Sequence, residues 1–142
     1  LVAVGVGWKL LGNQVRNAVA PSVTMTTIFR IRGAQPPMMR ELERRDLVGQ
    51  TLVSGNGYVE GATIKAVSYE PYAQSVETAE GAFVISEDPF KTDVIITVES
   101  SVSAGAPILR IGNQEVRAGR TFIFKTRTFE VNTLIDSVVV HE

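Results

Sequence analysis

Two stretches of this chain resemble one another, and the repeat limits the possible folds more than any other feature. The first reads VGQTLVSGNGYVEGATIKAVSYE and the second AGRTFIFKTRTFEVNTLIDSVVVHE. The matching positions, at spacings of 70 and then 71 residues, are Gly49 with Gly119, Thr51 with Thr121, Leu52 with Phe122, Glu60 with Glu130, Ile64 with Ile135, and Val67 with Val138. Chance similarity is the alternative. Two β units too small to bury their apolar faces alone would pair about a pseudo-twofold axis and share one core.

The local patterns around the repeat are mostly those of β-strands. Segment 23–32 (VTMTTIFRIR) alternates apolar and polar residues and is rich in β-branched side chains, and 94–100 (VIITVES) is of the same type. Segment 36–46 (PPMMRELERRD) predicts a short helix, with prolines in its first turn and an apolar stripe. We expect 72–82 to be a loop and 87–93 a turn.

These patterns predict a mainly β fold. We expect a small pseudo-twofold β-barrel or sandwich built from two similar β units, with one short helix and an apolar N-terminal arm. Closing the sheet into a barrel would also remove exposed strand edges. Residues 1–22 form the arm and a connector, and 23–142 form a single domain with repeats at about 23–71 and 94–142.

Charge is distributed unevenly along a chain whose formal net charge is −1. Residues 1–45 carry an excess of basic side chains, whereas the segment from Glu70 to Glu99 is acidic apart from Lys91. One copy could therefore attract the opposite end of another, and two solvated faces are the alternative. The net charge gives no indication of nucleic-acid binding. The residues predicted for an electrostatic contact are Arg30, Arg32, Arg40, Arg44, Arg45, Glu87 and Asp88.

The residue types needed for most catalytic sites are missing. The chain has no cysteine, and His141 is its one histidine, so thiolate sites, zinc sets and Ser-His-Asp triads cannot be assembled within one copy. Glu60 and Glu130 occupy matching places in the repeat and could face one another as a carboxylate pair. The acids of SEDPFKTD could hold calcium but lack the spacing of a calcium loop. We therefore assign no catalytic, cofactor-binding or metal-binding residue, and identify no small-molecule substrate.

The N-terminal stretch LVAVGVGWKLLGN has features of both a strand and a membrane segment. Valines alternate with small residues as in a strand, whereas Trp8 followed by Lys9 is typical of the interfacial end of a membrane helix. The apolar run is too short to span a bilayer, which needs roughly 20 residues. As an exposed strand it could add to a sheet of the next copy. The predicted assembly residues are Leu1, Val2, Val4, Val6 and Trp8.

Four segments, in this order, resemble a bacterial envelope family catalogued only as a domain of unknown function (number 4330). They read ELERRDLVGQTL, ATIKAVSYEP, GAFVISEDPFKTDVIITV and ILRIGNQEVRAGRTFIFKT. The likeness covers roughly 23–140 and the apolar stretch before it. It implies a single membrane span followed by a β-rich extracytoplasmic domain, and no activity or cofactor. The sequence departs from the family at Gln50, where an aspartate often follows the glycine, and in starting inside the expected span.

These observations predict a non-enzymatic, extracytoplasmic structural or assembly protein of the bacterial cell envelope. We expect a homo-oligomer formed through the N-terminal arm, with a filament subunit as one form of it. The alternative is a membrane-tethered monomeric β-domain that serves as an interaction module, on the cell surface or anchored in the envelope. A carboxylate enzyme or small-ligand binder with a pseudo-twofold cleft is the second alternative.

Overall fold

The computed structural model describes residues 21–142. The predicted assembly residues between Leu1 and Trp8 therefore lie outside the described part. The described elements are β1 (Ser22–Ala34), α1 (Pro36–Arg44), β2 (Thr51–Ser54), β3 (Gly57–Glu77), β4 (Phe83–Ser103), β5 (Arg110–Ile111), β6 (Gln114–Glu115), β7 (Thr121–Lys125) and β8 (Glu130–His141).

Six of these strands form one antiparallel sheet in the order β2-β3-β4-β1-β8-β7. The sheet curls until β2 and β7 lie next to each other, so that it forms a nearly closed barrel. The remaining strands, β5 and β6, are two residues long each and form a separate hairpin with Gly112 and Asn113 in its turn. The prediction of a mainly β, barrel-like fold with one short helix is confirmed.

The core is built from the inward faces of the central strands. Residues alternate between buried and accessible along β1, which places Met25, Phe29 and Ile31 inside, as the sequence pattern of that segment predicts. The ring of Phe29 packs against those of Phe122 and Phe124 on β7, with centroids 4.7 and 5.6 Å apart. These contacts tie the second repeat to the first strand across the barrel interior.

The internal repeat appears in the backbone hydrogen bonds. Gly49 N–H donates to the carbonyl of Ile64, and Gly119 N–H donates to the carbonyl of Ile135, both at 2.8 Å. The residue after each glycine accepts the return bond from the same isoleucine, at 2.9 Å in both places. Both glycines have a positive φ, +92° and +89°, which other residues rarely adopt. The fold is therefore built from two similar β units.

Two sequence-based predictions are wrong. The predicted loop 72–82 is strand up to Glu77, and the predicted turn 87–93 belongs to β4, so that β3 and β4 are each 21 residues long. Cross-strand hydrogen bonding extends the pair even though the segment has few buried residues. The pairing register shifts between Pro71 and Tyr72, and this irregularity accommodates the extra residues around Pro89 within β4.

The repeat glycines provide a direct test of the two-unit fold. Gly49→Ala and Gly119→Ala should each lower the free energy of unfolding by roughly 1–2 kcal/mol, because alanine is strained at positive φ even where no atom lies within 4 Å. Gly57→Ala is the control, since Gly57 has no positive φ and is equally unobstructed. Urea unfolding measures all three. Equal effects at Gly57 and Gly49 would contradict this account.

Candidate interaction surface

The β3–β4 pair continues well beyond the barrel as a two-stranded ribbon. Pairing of β4 with β1 ends at Thr92 opposite Ala34, whereas β3 and β4 stay paired out to Glu77 opposite Phe83. We call residues 72–91 the projecting arm. Its six terminal residue pairs correspond to a length of about 20 Å. Within residues 21–142, no other strand is hydrogen-bonded to this ribbon.

The projecting arm exposes large apolar side chains on both of its faces. Phe83 and Ile85, two residues apart on β4 and therefore on one face, are 71% and 81% exposed. Val76 and Val84 pair directly across the ribbon on the other face, and both are also exposed. Phe90 at the base of the arm is 75% exposed. Clustered exposed apolar groups of this kind mark interaction sites in soluble proteins.

Acidic side chains surround these apolar groups. Glu77 and Glu87 lie on the same ribbon face as Phe83 and Ile85, because residues paired across an antiparallel ribbon share a face. Asp88 instead accepts a hydrogen bond from the Phe90 N–H at 2.9 Å, which organises the irregular stretch at the base of the arm. The predicted contact residues Glu87 and Asp88 thus both belong to the projecting arm.

The base of the arm is held by the ring of Tyr72, which two cationic side chains contact. The Arg32 guanidinium carbon and the Lys91 ammonium nitrogen lie 5.1 and 5.3 Å from the centroid of the Tyr72 ring. The ring also lies against Gly33, where a Cβ would come within 3.1 Å of a ring carbon. Gly33 has a φ of +63° in an irregular part of β1. Glycine is required there both for the backbone and for the approach of Tyr72.

An ion-pair network next to the ring holds the same end of the barrel. Asp93, almost fully buried, binds Arg30 at 2.8 Å and accepts the N–H of Gly33 at 2.9 Å. Arg30 also binds Asp136 at 2.7 Å and Glu70 at 3.0 Å. The hydrogen bond to Asp136 is the largest cause of the raised pKa of Arg30, and burial opposes it. The network joins β1, β3, β4 and β8 where the arm begins.

The other basic residues predicted for contact lie on α1 or directly after it. Arg44, the last residue of α1, and Arg45 both pair with Glu41, and the hydrogen bond from Arg45 is the largest cause of the lowered pKa of that carboxyl. Arg40 is exposed on α1. On β1, Arg30 belongs to the ion-pair network, and Arg32 pairs with Asp93 at 3.4 Å in addition to its contact with the Tyr72 ring. Four of the five predicted arginines therefore already bind acids of their own chain.

A second surface, which the sequence analysis missed, carries unexpected positive charge. Arg110 lies on β5, and Arg117 and Arg120 lie between β6 and β7; all three are exposed. Ile108, two residues before Arg110, and Ile123, whose backbone is hydrogen-bonded to the Gln114 side chain, are also exposed. We call the three arginines and two isoleucines the basic face. A count of charged residues over 107–129 gives five basic residues and one acid, Glu115, and would have revealed this surface. Comparing residues 1–45 with the rest of the chain concealed it, because acids elsewhere outweigh these basic residues.

The basic face is held together by polar contacts between its segments. The Gln114 side-chain amide donates to the carbonyl of Ile123 and accepts its N–H, at 2.8 and 2.9 Å. Ser54, at the end of β2, hydrogen-bonds the Asn113 side chain at 2.9 Å. The β5–β6 hairpin is thereby fastened both to β7 and to the end of β2.

The candidate acid–base residues lie in different surroundings. Glu60 and Glu130 are both exposed, and Glu130 pairs with Lys125 at 3.4 Å. A depression of about 570 Å³ at the base of the arm is lined by Glu70, Glu87 and Asp88, but by neither Glu60 nor Glu130. His141 contacts the Thr26 hydroxyl at 2.8 Å. Among residues 21–142, no group of three potential metal ligands is found.

Another depression, of about 430 Å³, lies near the approach of β2 to β7 and is lined by Gln50, Tyr58 and Arg127 among others. At Gln50 the resemblance described above implies an aspartate. Its side-chain amide donates to the carbonyl of Asp46 at 2.7 Å, a bond that an aspartate carboxylate could not donate. The amide therefore fastens the loop between α1 and β2.

The buried carboxylate predicts a large stability difference between two arginine variants. Arg30→Met should lower the free energy of unfolding by about 3 kcal/mol, because Asp93 remains buried without its main partner. Arg44→Met, which removes an exposed helix pair, should cost less than about 0.5 kcal/mol. Adding Asp93→Asn to the first variant should recover part of its loss. Chemical unfolding measures the series, and equal losses for the two arginines would refute the role of the network.

Comparison with known proteins identifies a family. No curated protein and no solved structure is significantly similar to this chain. No helix in the described part of the chain is long and apolar enough to cross a membrane. The sequence pattern of DUF4330, a domain of unknown function, matches residues 1–139. Because this match covers almost the whole chain, the protein belongs to the DUF4330 family.

Proposed function

We propose that this chain is a non-enzymatic structural module of the bacterial cell envelope that associates with further copies of itself through the projecting arm. The observation that carries the proposal is the exposure of Phe83 and Ile85 on a ribbon outside the barrel. Isolated two-stranded ribbons are only marginally stable in water. Burying such side chains against a partner removes apolar surface from water, at about 25 cal/mol per Å².

The shape of the arm also suits association. Beyond the barrel, no strand of residues 21–142 pairs with either backbone edge of the ribbon, which also has apolar side chains on both faces. An exposed edge of this kind can pair with a strand of another chain. Within a single copy, extending β3 and β4 past the core leaves the apolar side chains of the arm in water, so their burial would require a partner.

The proposal predicts that the arm controls the association state. Phe83→Ser/Ile85→Ser should shift the chain toward monomer, because the substitutions remove the most exposed apolar groups while leaving the barrel core intact. Val48→Ser/Tyr58→Ser is the matched control, since it also changes one aliphatic and one aromatic exposed side chain. Sedimentation velocity over a concentration series measures the effect. A wild-type chain that stays monomeric throughout would contradict the proposal.

A membrane tether is the second candidate, supported by the family resemblance and by the direction of β1. Ser22 begins β1 opposite Ser103, while Ala34 at its other end lies opposite Thr92 beside the base of the arm. A tether preceding Ser22 would therefore leave the projecting arm pointing away from the membrane. This geometry would present the arm to partners outside the lipid surface.

Deleting residues 1–9 distinguishes a membrane tether from assembly through the N-terminal arm. If the segment acts as a tether, the chain 1–142 should float with phosphatidylcholine vesicles, and the deletion variant should not, while sedimentation stays unchanged. If Val2, Val4 and Val6 instead bind the next copy, the deletion should abolish association. A chain 1–142 that fails to float would contradict tethering by residues 1–9.

A further inference from the structure

We propose that the projecting arm of one copy docks onto the basic face of a second copy, in a head-to-tail contact. The inference rests on the proposed function, because it assumes self-association, and it adds the identity of the acceptor surface. It concerns two surfaces that are built from separate segments of the described chain, 72–91 and 107–129.

Charge complementarity favours this acceptor. The arm, residues 72–91, carries four acids and Lys91, whereas 107–129 carries five basic residues and Glu115. Pairing two arms with each other would bring acids together, and like charges across an interface cost several kcal/mol. Docking on the basic face instead places Glu77 and Glu87 against arginines. The acceptor is therefore a different surface from the arm itself.

Apolar groups on the basic face match those on the arm. Ile108 and Ile123 are 46% and 43% exposed among the arginines. Phe83 and Ile85 could pack against them while the charges form the polar rim that protein interfaces commonly have. The long stems of arginine can cover apolar surface at the same time.

The arm does not dock onto the basic face of its own copy. Phe83 and Ile85 remain 71% and 81% exposed, so the barrel to which they belong leaves them uncovered. The contact is therefore between copies. Because donor and acceptor surfaces differ, it repeats from copy to copy and builds an open chain unless the rotation closes a ring.

Other basic groups are poorer acceptors. Arg30 and Arg45 are largely covered and bind acids of their own chain. Arg117 and Arg120 also approach Glu115, at 2.9 and 3.7 Å, but more than half of each side chain is exposed. One glutamate among three exposed arginines leaves net positive charge on the basic face.

Charge reversal tests the acceptor. Arg117→Glu/Arg120→Glu should weaken self-association at least about tenfold in sedimentation velocity, since like charges now meet. Glu77→Lys/Glu87→Lys should do the same from the arm side, and all four changes in one chain should restore most of the affinity. Arg40→Glu/Arg44→Glu, with the same charge change on α1, is the control and should leave association unchanged.

Mixing variants tests the head-to-tail arrangement. Phe83→Ser/Ile85→Ser keeps its basic face, and Arg117→Glu/Arg120→Glu keeps its arm, so an equimolar mixture should give heterodimers that grow no further. If Arg117→Glu/Arg120→Glu associates as well as wild type while Phe83→Ser/Ile85→Ser is monomeric, arms pair with arms. This inference then fails, while the proposed function stands. Loss of association in the α1 control alone would also overturn the inference. A monomeric wild type would refute both.

Discussion

The barrel depends on one buried carboxylate at the point where its wall ends and the arm begins. Asp93 is removed from water, and such a charge is tolerated only when it is paired and hydrogen-bonded. Arg30 and the Gly33 N–H supply these partners, and Arg30 carries the same network to β3 and β8. Four strands are thereby held in register at one end, and the ribbon that leaves the barrel there starts from a fixed base.

The two repeats build the barrel, and the segment between them builds the arm. Gly49 and Gly119 make the same hydrogen bond in each unit, and the aromatic cluster around Phe29 joins the units across the core. The arm falls between the predicted repeats, 23–71 and 94–142. The repeated units thus supply the barrel, and the segment between them supplies the surface proposed for association.

The arrangement of charge along the molecule is consistent with the proposed association. Acids lie on the arm, and basic residues lie around β5 and β6. Opposite charges on separate surfaces of one chain favour alignment of successive copies. In the proposed assembly, the core supplies a rigid body and the arm supplies the contact.

The sequence by itself determined the strands, the short helix and the two-unit barrel, because alternation and the repeated glycine are local signals that the core then satisfies. Only the tertiary structure decided that 72–77 pairs with 83–88, since that pairing depends on register rather than on burial. The exposure of Phe83 and Ile85 likewise depends on the tertiary structure, because no other strand of residues 21–142 pairs with the ribbon. The partners of Arg30 lie 40 to 106 residues away in sequence, so folding alone turned predicted contact residues into an internal network.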